Sequence, residues 1–63
     1  MFKLTLYHAG AEEISESDFE GHKDAIMTLA HSLEKFPEDV VSLEVWDMET
    51  HTTCYKWIST YWA

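Results

Sequence analysis

The sequence predicts a small α+β domain in which an antiparallel sheet of three or four strands, in the order β-β-α-β-β, carries one helix packed on one face. Three observations predict it: alternating apolar residues in both halves of the chain, one stretch of helical periodicity between them, and a length of 63 residues, which leaves room for a single domain over 1–63. One helix covers only one face of such a sheet, so the other face must meet solvent or a partner.

The first half of the predicted sheet is a strand over residues 2–8 and a second, more polar strand. Phe2, Leu4 and Leu6 alternate with polar residues, which is the period of a half-buried strand. A turn at residues 9–12 then leads into residues 14–19, which we expect to return as the second strand.

The sequence changes to a helical period after residue 21. Four apolar residues repeat at i, i+3, i+4 and i+7 and a fifth closes the stripe: Ile26, Leu29, Ala30, Leu33 and Phe36. Gly21 is the expected N-cap. Pro37 ends the predicted helix, because the residue before a proline avoids the helical region.

Residues 40–47 are predicted to form the third strand. We expect Val41, Leu43 and Val45 to face the helix, since they alternate along the strand. Val40 and Trp46 are then expected on the opposite face.

The last strand is predicted over residues 52–59, after a loop at 47–51. Such a loop usually needs a residue with positive φ near its end, and His51 is among the non-glycine residue types that tolerate it best. In the strand itself we place Tyr55 and Trp57 inward and expect Cys54 to act as a small apolar filler.

Charge and cysteine content exclude several classes of protein. Twelve Asp and Glu against four Lys and no Arg give a net charge of −8, which argues against direct binding of nucleic acid. One cysteine cannot form an internal disulfide, and the chain has neither a signal-peptide pattern nor an apolar run long enough to span a bilayer. We therefore expect a cytoplasmic protein without a membrane segment.

Half of the carboxylates fall within thirteen residues: Glu12, Glu13, Glu16, Asp18, Glu20 and Asp24. One interpretation is a solvated edge whose charges prevent aggregation. The other is a partner-binding row that imitates phosphates, because alternate residues of a strand lie about 6.6–6.8 Å apart, close to the separation of successive phosphates along one nucleic-acid strand. Glu16, Asp18 and Glu20 alternate in this way.

Aromatic residues supply a second candidate surface, for a partner or for a dimer. Tyr7 and Trp46 are expected on the face opposite the helix, and Trp62 is a third candidate, because Trp and Tyr dominate interface hot spots. Alternatively, exposed aromatics are ordinary and the terminal Tyr61 and Trp62 fold back to cover them. Since so small and acidic a domain is marginal alone, we expect a homodimer.

Metal binding and catalysis find little support in the sequence. The histidines at 8, 22, 31 and 51 are scattered, and His51 and Cys54 are the only pair with ligand-like spacing, whereas a zinc site needs three or four ligands. The chain lacks a glycine-rich phosphate loop and is too short to enclose a large pocket. No catalytic residue, metal or cofactor is therefore predicted.

Four runs of residues resemble a known class of protein. The chain is similar to the layout of small phage-encoded accessory proteins in Gly-His-Lys-Asp-Ala-Ile at 21–26, Val-Ser-Leu-Glu-Val-Trp-Asp at 41–47, Glu-Thr at 49–50 and Tyr-Lys-Trp at 55–57. The resemblance implies a host-takeover or anti-defence inhibitor of a host polymerase, a CRISPR effector or a DNA-repair enzyme.

The expected function is therefore that of a non-enzymatic acidic module that binds a basic, nucleic-acid-binding surface of another protein by imitating DNA. A structural or assembly module that self-associates through the open sheet face is the alternative.

Overall fold

The computed structural model describes residues 1–62. Its elements in chain order are β1 (Phe2–Ala9), β2 (Ile14–Gly21), α1 (Lys23–Leu33), β3 (Val40–Asp47), β4 (Thr52–Ile58) and a short 3-10 turn (Thr60–Trp62). The four strands form one antiparallel sheet in the order β2-β1-β3-β4, and the helix packs on one face. This confirms the predicted α+β class. Residues 1–62 contain no helix with the length and apolarity needed to cross a membrane.

The pairing of the strands gives the sheet two chemically different faces. Leu4 lies opposite Val45, and Leu6 lies opposite Leu43, so these side chains share the face that α1 covers, the helix-side face. The buried apolar residues are Leu4, Leu6, Ile26, Ala30, Val40, Leu43 and Val45. The other face, the open face, has no helix above it among the described residues.

A β-bulge corrects the expected orientation of the start of β3. Tyr7 pairs with Ser42, but the next residue, His8, pairs with Val40, so Val41 is the extra residue. The bulge shifts the alternation by one position. Val40, which we expected on the open face, is therefore 3% exposed in the core, whereas Val41 is only half-buried.

The predicted N-cap is off by one residue, and the apolar stripe of the helix ends three residues earlier than expected. Gly21 is the last residue of β2, because it pairs with Phe2, and His22 is the N-cap without a side-chain hydrogen bond. At the other end α1 stops at Leu33, and Phe36 donates its backbone N–H to the Leu33 carbonyl in a tighter turn. Phe36 therefore does not close the apolar stripe but is 55% exposed.

The loop between β3 and β4 is held by Asp47. Its Oδ1 accepts the backbone N–H groups of Glu49 at 2.9 Å and Thr50 at 3.4 Å. The bond from the Glu49 N–H is the main reason that the pKa of Asp47 lies below its usual range. His51 has a φ of 55°, which confirms it as the residue of this loop with positive φ.

Strand β4 faces inward through its aromatic residues. Tyr55 lies opposite Val45, Trp57 lies opposite Leu43, and both aromatic side chains pack against the core, as predicted. Cys54 is the extra residue of a second bulge, and its side chain is exposed. It is therefore not the apolar filler that we expected, because an edge strand has no neighbour to cover it.

The C-terminal turn folds back onto the connection between α1 and β3. The buried Ser59 donates its hydroxyl to the Pro37 carbonyl at 2.8 Å, and the Trp62 indole donates to the same oxygen at 3.0 Å. Two donors on one carbonyl fix the chain end next to Pro37.

Candidate functional site: the open face and its acidic edge

The open face is a grid of three rows that cross the sheet from β2 to β4. From one end of the sheet to the other, the rows are Glu16, Tyr7, Ser42 and Ile58; Asp18, Thr5, Glu44 and Lys56; and Glu20, Lys3, Trp46 and Thr53. Each row contains at least one carboxylate at the β2 edge. The open face is therefore acidic along one edge and mixed elsewhere.

The acidic strip, defined as Glu16, Asp18 and Glu20, follows the open face of the edge strand β2. All three side chains are exposed. They share this face because they alternate with Ser15, Ser17 and Phe19, which point to the helix side opposite β1 residues of the core face. Each of these residues lies about 6.8 Å along the strand from the next one.

One lysine forms an ion pair with the carboxylate in the middle of the strip. Lys3 Nζ lies 3.7 Å from Asp18 Oδ2, and both side chains are more than a third exposed. An exposed ion pair of this kind contributes roughly 0–1 kcal/mol. The pair therefore leaves the Asp18 carboxylate accessible to solvent.

Glu12 and Glu13 extend the acidic edge into the β1–β2 turn. The turn closes with a 2.7 Å hydrogen bond from the Gly10 N–H to the Glu13 carbonyl. A Cβ at position 10 would lie 2.8 Å from that oxygen, so the tight turn requires glycine there. Trp62 joins the turn in lining an open recess of about 290 Å³. An acidic and an aromatic candidate thus meet at this end of the sheet.

Asp24 is not part of the acidic strip. It lies in the first turn of α1, on the helix layer and beyond the other end of β2. A carboxylate at this position interacts favourably with the helix macrodipole, and this interaction gives Asp24 a structural role in α1.

The aromatic candidates do not form one patch. Tyr7 and Trp46 both lie on the open face but in its first and third rows, about 13 Å apart along the strands. Glu44 lies between them on the same face. Trp46 is half-buried and packs against His51, with 6.4 Å between ring centroids. Trp62 donates to the Pro37 carbonyl and lines the recess beside the β1–β2 turn, at the opposite end of the sheet from Trp46.

Two exposed isoleucines at the Tyr7 end of the open face were missed by the sequence prediction. Ile14 is 60% exposed and lies diagonally across from Tyr7, and Ile58 is 61% exposed in the same row as Tyr7, beyond Ser42. The isolated isoleucines carried no signal in the sequence, because their place beside Tyr7 in the sheet depends on how the strands pair.

A hydrogen-bonded cluster joins the end of α1 to β4. Glu34 accepts the Tyr55 hydroxyl with one carboxylate oxygen and faces His31 Nδ1 at 2.7 Å with the other. The bond to Glu34 raises the pKa of Tyr55 to about 12, since ionisation would place two negative charges together. The cluster holds a proton on Tyr55 and ties the edge strand to the helix.

The histidines and the cysteine are dispersed in the structure. His8 bonds Ser17 at 3.1 Å, His31 bonds Glu34, and His51 packs against Trp46. Within the described part of the chain, no three His, Cys, Asp or Glu side chains are placed so that they could hold a metal ion.

Comparison of the chain with protein-family models, with curated proteins and with solved structures gives no significant match.

Proposed function

We propose that this chain is a non-enzymatic protein-binding module that inhibits a nucleic-acid-handling protein by covering its basic surface. The observation that carries the proposal is the acidic strip, in which Glu16, Asp18 and Glu20 are exposed on one face of an edge strand. Surfaces that bind nucleic acid neutralise phosphates with Lys and Arg, and such surfaces are complementary to a regular row of carboxylates.

The spacing of the strip supports imitation of a nucleic-acid strand. Alternate residues of β2 place their carboxylates about 6.8 Å apart, close to the separation of successive phosphates. Glu12 and Glu13 continue the negative charge past the end of the strand. The row therefore presents five carboxylates along one edge of the molecule.

Affinity would come from the exposed apolar and aromatic side chains at the Glu16 end of the strip. Tyr7 lies directly opposite Glu16, and Ile14 and Trp62 lie at the same end of the sheet. Partly exposed aromatic residues next to charged ones are typical of interfaces in which charge accelerates association and aromatic side chains slow dissociation.

Self-association through the open face is less well supported. Glu44 and Lys56 occupy the second row, and Lys3 and Glu20 occupy the third. Stacking two copies face to face would bury these charges, and the desolvation cost of buried ion pairs often exceeds their attraction.

The resemblance to phage accessory proteins suggests the class of partner. A host polymerase, a CRISPR effector or a DNA-repair enzyme, each with a basic groove, would meet the module in the host cytoplasm.

The proposal is tested with two triple variants of equal charge. In the first, Glu16, Asp18 and Glu20 are changed to Lys; in the control, Glu38, Asp39 and Glu49, which are exposed on the loops before and after β3, are changed to Lys. Each set changes the net charge from −8 to −2, since three reversals add 6. Immobilised wild-type and control chains should capture the same bacterial protein, and a short DNA duplex should displace it. Equal capture by the strip variant, or capture that DNA does not affect, would contradict the proposal.

A further inference from the structure

The two edges of the sheet differ in chemistry, and β4 is the less charged one. The strand order β2-β1-β3-β4 leaves β2 and β4 each with one unpaired side. Natural sheets protect such edges with charges, and β2 has three carboxylates on its open face. Strand β4 has one charged residue, Lys56, and is otherwise made of Thr, Cys, Tyr, Trp and Ile, most of which favour strands.

The free backbone groups of β4 can be assigned from its pairing. Ser59 donates its N–H to the Val41 carbonyl at 2.9 Å, toward β3. Because backbone groups alternate along a strand, those of Lys56 and Ile58 point away from β3, to the unpaired side. On β1, the Ala9 N–H donates to the Asp39 carbonyl at 2.7 Å, on the side away from β2. By the same alternation along β1 and by its pairing with β2, the backbone groups of Glu16 point to the unpaired side of β2.

The distribution of charge favours a second copy of the chain at this edge. Residues 50–62 contain Lys56 and no Asp or Glu, so this segment carries +1 in a chain whose net charge is −8. Two copies that approach through β2 bring their carboxylates together, whereas two copies that approach through β4 meet the least repulsion.

The helix layer also leaves room beside β4. Helix α1 packs over β1, β2 and β3, while Tyr55 and Trp57 on the helix side of β4 remain partly exposed. A two-fold axis perpendicular to the sheet would place the same two aromatic residues of both copies on the same side, between the two helices.

We propose that a second copy of this chain pairs antiparallel with β4, so that the dimer contains one continuous eight-stranded sheet. This interface uses the edge opposite the acidic strip and does not rest on the proposed function. The expected assembly is closed, because each β4 edge pairs with its own image and none remains free.

Residue-resolved amide hydrogen exchange of the wild-type chain tests the interface directly. Raising the protein concentration should slow exchange of the Lys56 and Ile58 amides, which point outward on β4, and leave the outward amides of Asp18 and Glu20 unchanged. Exchange at Lys56 and Ile58 that does not depend on concentration up to about 1 mM, the weak end of specific association, would overturn the proposal.

A proline variant supplies the second measurement. Ile58→Pro removes an N–H that the monomer does not use, and we expect its dimer to dissociate about tenfold more readily in sedimentation experiments, because main-chain hydrogen bonds supply the affinity of added strands. Glu16→Pro is the matched control on the other edge and should dimerise as the wild type does. A folded Ile58→Pro chain that dimerises normally would refute the β4 interface, and if that variant does not fold, the exchange experiment decides alone.

Discussion

The Tyr55 hydroxyl links β4 to α1, and its titration predicts how stability depends on pH. The hydrogen bond to Glu34 raises the pKa of Tyr55 to about 12. The folded state therefore holds this proton more tightly than the unfolded state, in which a tyrosine titrates near pH 10. The stabilisation is complete below pH 10 and is lost as the pH rises toward 12.

We expect the free energy of unfolding to fall between pH 10 and pH 12, and Tyr55→Phe to remove part of that fall. Urea unfolding at pH 8, 10 and 11.5 measures both effects. Tyr61→Phe is the control, because Tyr61 is 63% exposed and its ring packs on its neighbour Trp62. Identical pH profiles for the wild type and Tyr55→Phe would show that the bond to Glu34 is absent in solution.

Because of the bulge in β3, two adjacent valines are buried to different extents. Val40→Ala should lower the free energy of unfolding by about 2 kcal/mol, because it removes two buried methyl groups and leaves a cavity. Val41→Ala should cost less than half as much, since Val41 is the extra residue and is only half-buried. Chemical unfolding of both variants measures the difference, and the opposite order would mean that the bulge lies elsewhere in β3.

At the level of elements, the conformation of His51 predicts that a glycine variant is more stable than an alanine variant at this position. A φ of 55° costs a residue with a Cβ about 1 kcal/mol or more, and glycine avoids this cost. Both His51→Gly and His51→Ala lose the contact with Trp46, so they differ mainly in backbone strain. The glycine variant should be more stable than the alanine variant by about 1 kcal/mol in thermal or chemical unfolding.

Thr50 supplies the matched control for the loop. Its φ is not positive, so alanine should be at least as stable as glycine there. If glycine and alanine rank in the same order at 50 and 51, loop flexibility rather than the left-handed conformation would explain the His51 result.

Most of the elements could be predicted from the sequence because their signals are local. The period of two in β1 and β3 and the helical stripe in α1 depend only on neighbouring residues, and both appear in the structure. The two bulges could not be predicted, because an extra residue in one strand is defined only by its partner strand. The pair Val40 and Val41 shows this, since one of two identical adjacent residues is buried in the core and the other is only half-buried.

The same distinction applies to the candidate site. The acidic strip is a property of one strand, so the alternation of Glu16, Asp18 and Glu20 already predicted a shared face. The distance between Tyr7 and Trp46 depends on how β1 pairs with β3, and the sequence pattern does not contain that register. The hydrogen bond between Glu34 and Tyr55 joins residues 21 positions apart in the sequence, so it could not be predicted for the same reason.

For the molecule as a whole, the net charge of −8 opposes folding, while the strip is the surface that we propose for binding. Carboxylates along one edge repel one another, and salt weakens that repulsion because the Debye length falls from about 30 Å at 0.01 M to about 8 Å at 0.15 M. We infer that the acids of β2 are kept at a cost in stability, as is common for functional residues.

Raising NaCl from 0.01 M to 0.15 M should therefore raise the melting temperature of the wild-type chain by about 4–8 °C, which corresponds to about 1 kcal/mol for a domain of this size. Changing Glu16, Asp18 and Glu20 to Gln, Asn and Gln should raise the melting temperature in low salt and reduce the gain from NaCl. The same amide changes at Glu38, Asp39 and Glu49 provide the control, because both sets change the net charge from −8 to −5. If calorimetry gives the same melting temperatures and the same response to NaCl for the two sets, total charge rather than the crowding of carboxylates on β2 opposes folding. The strip would then not be a site that the chain maintains at the expense of stability.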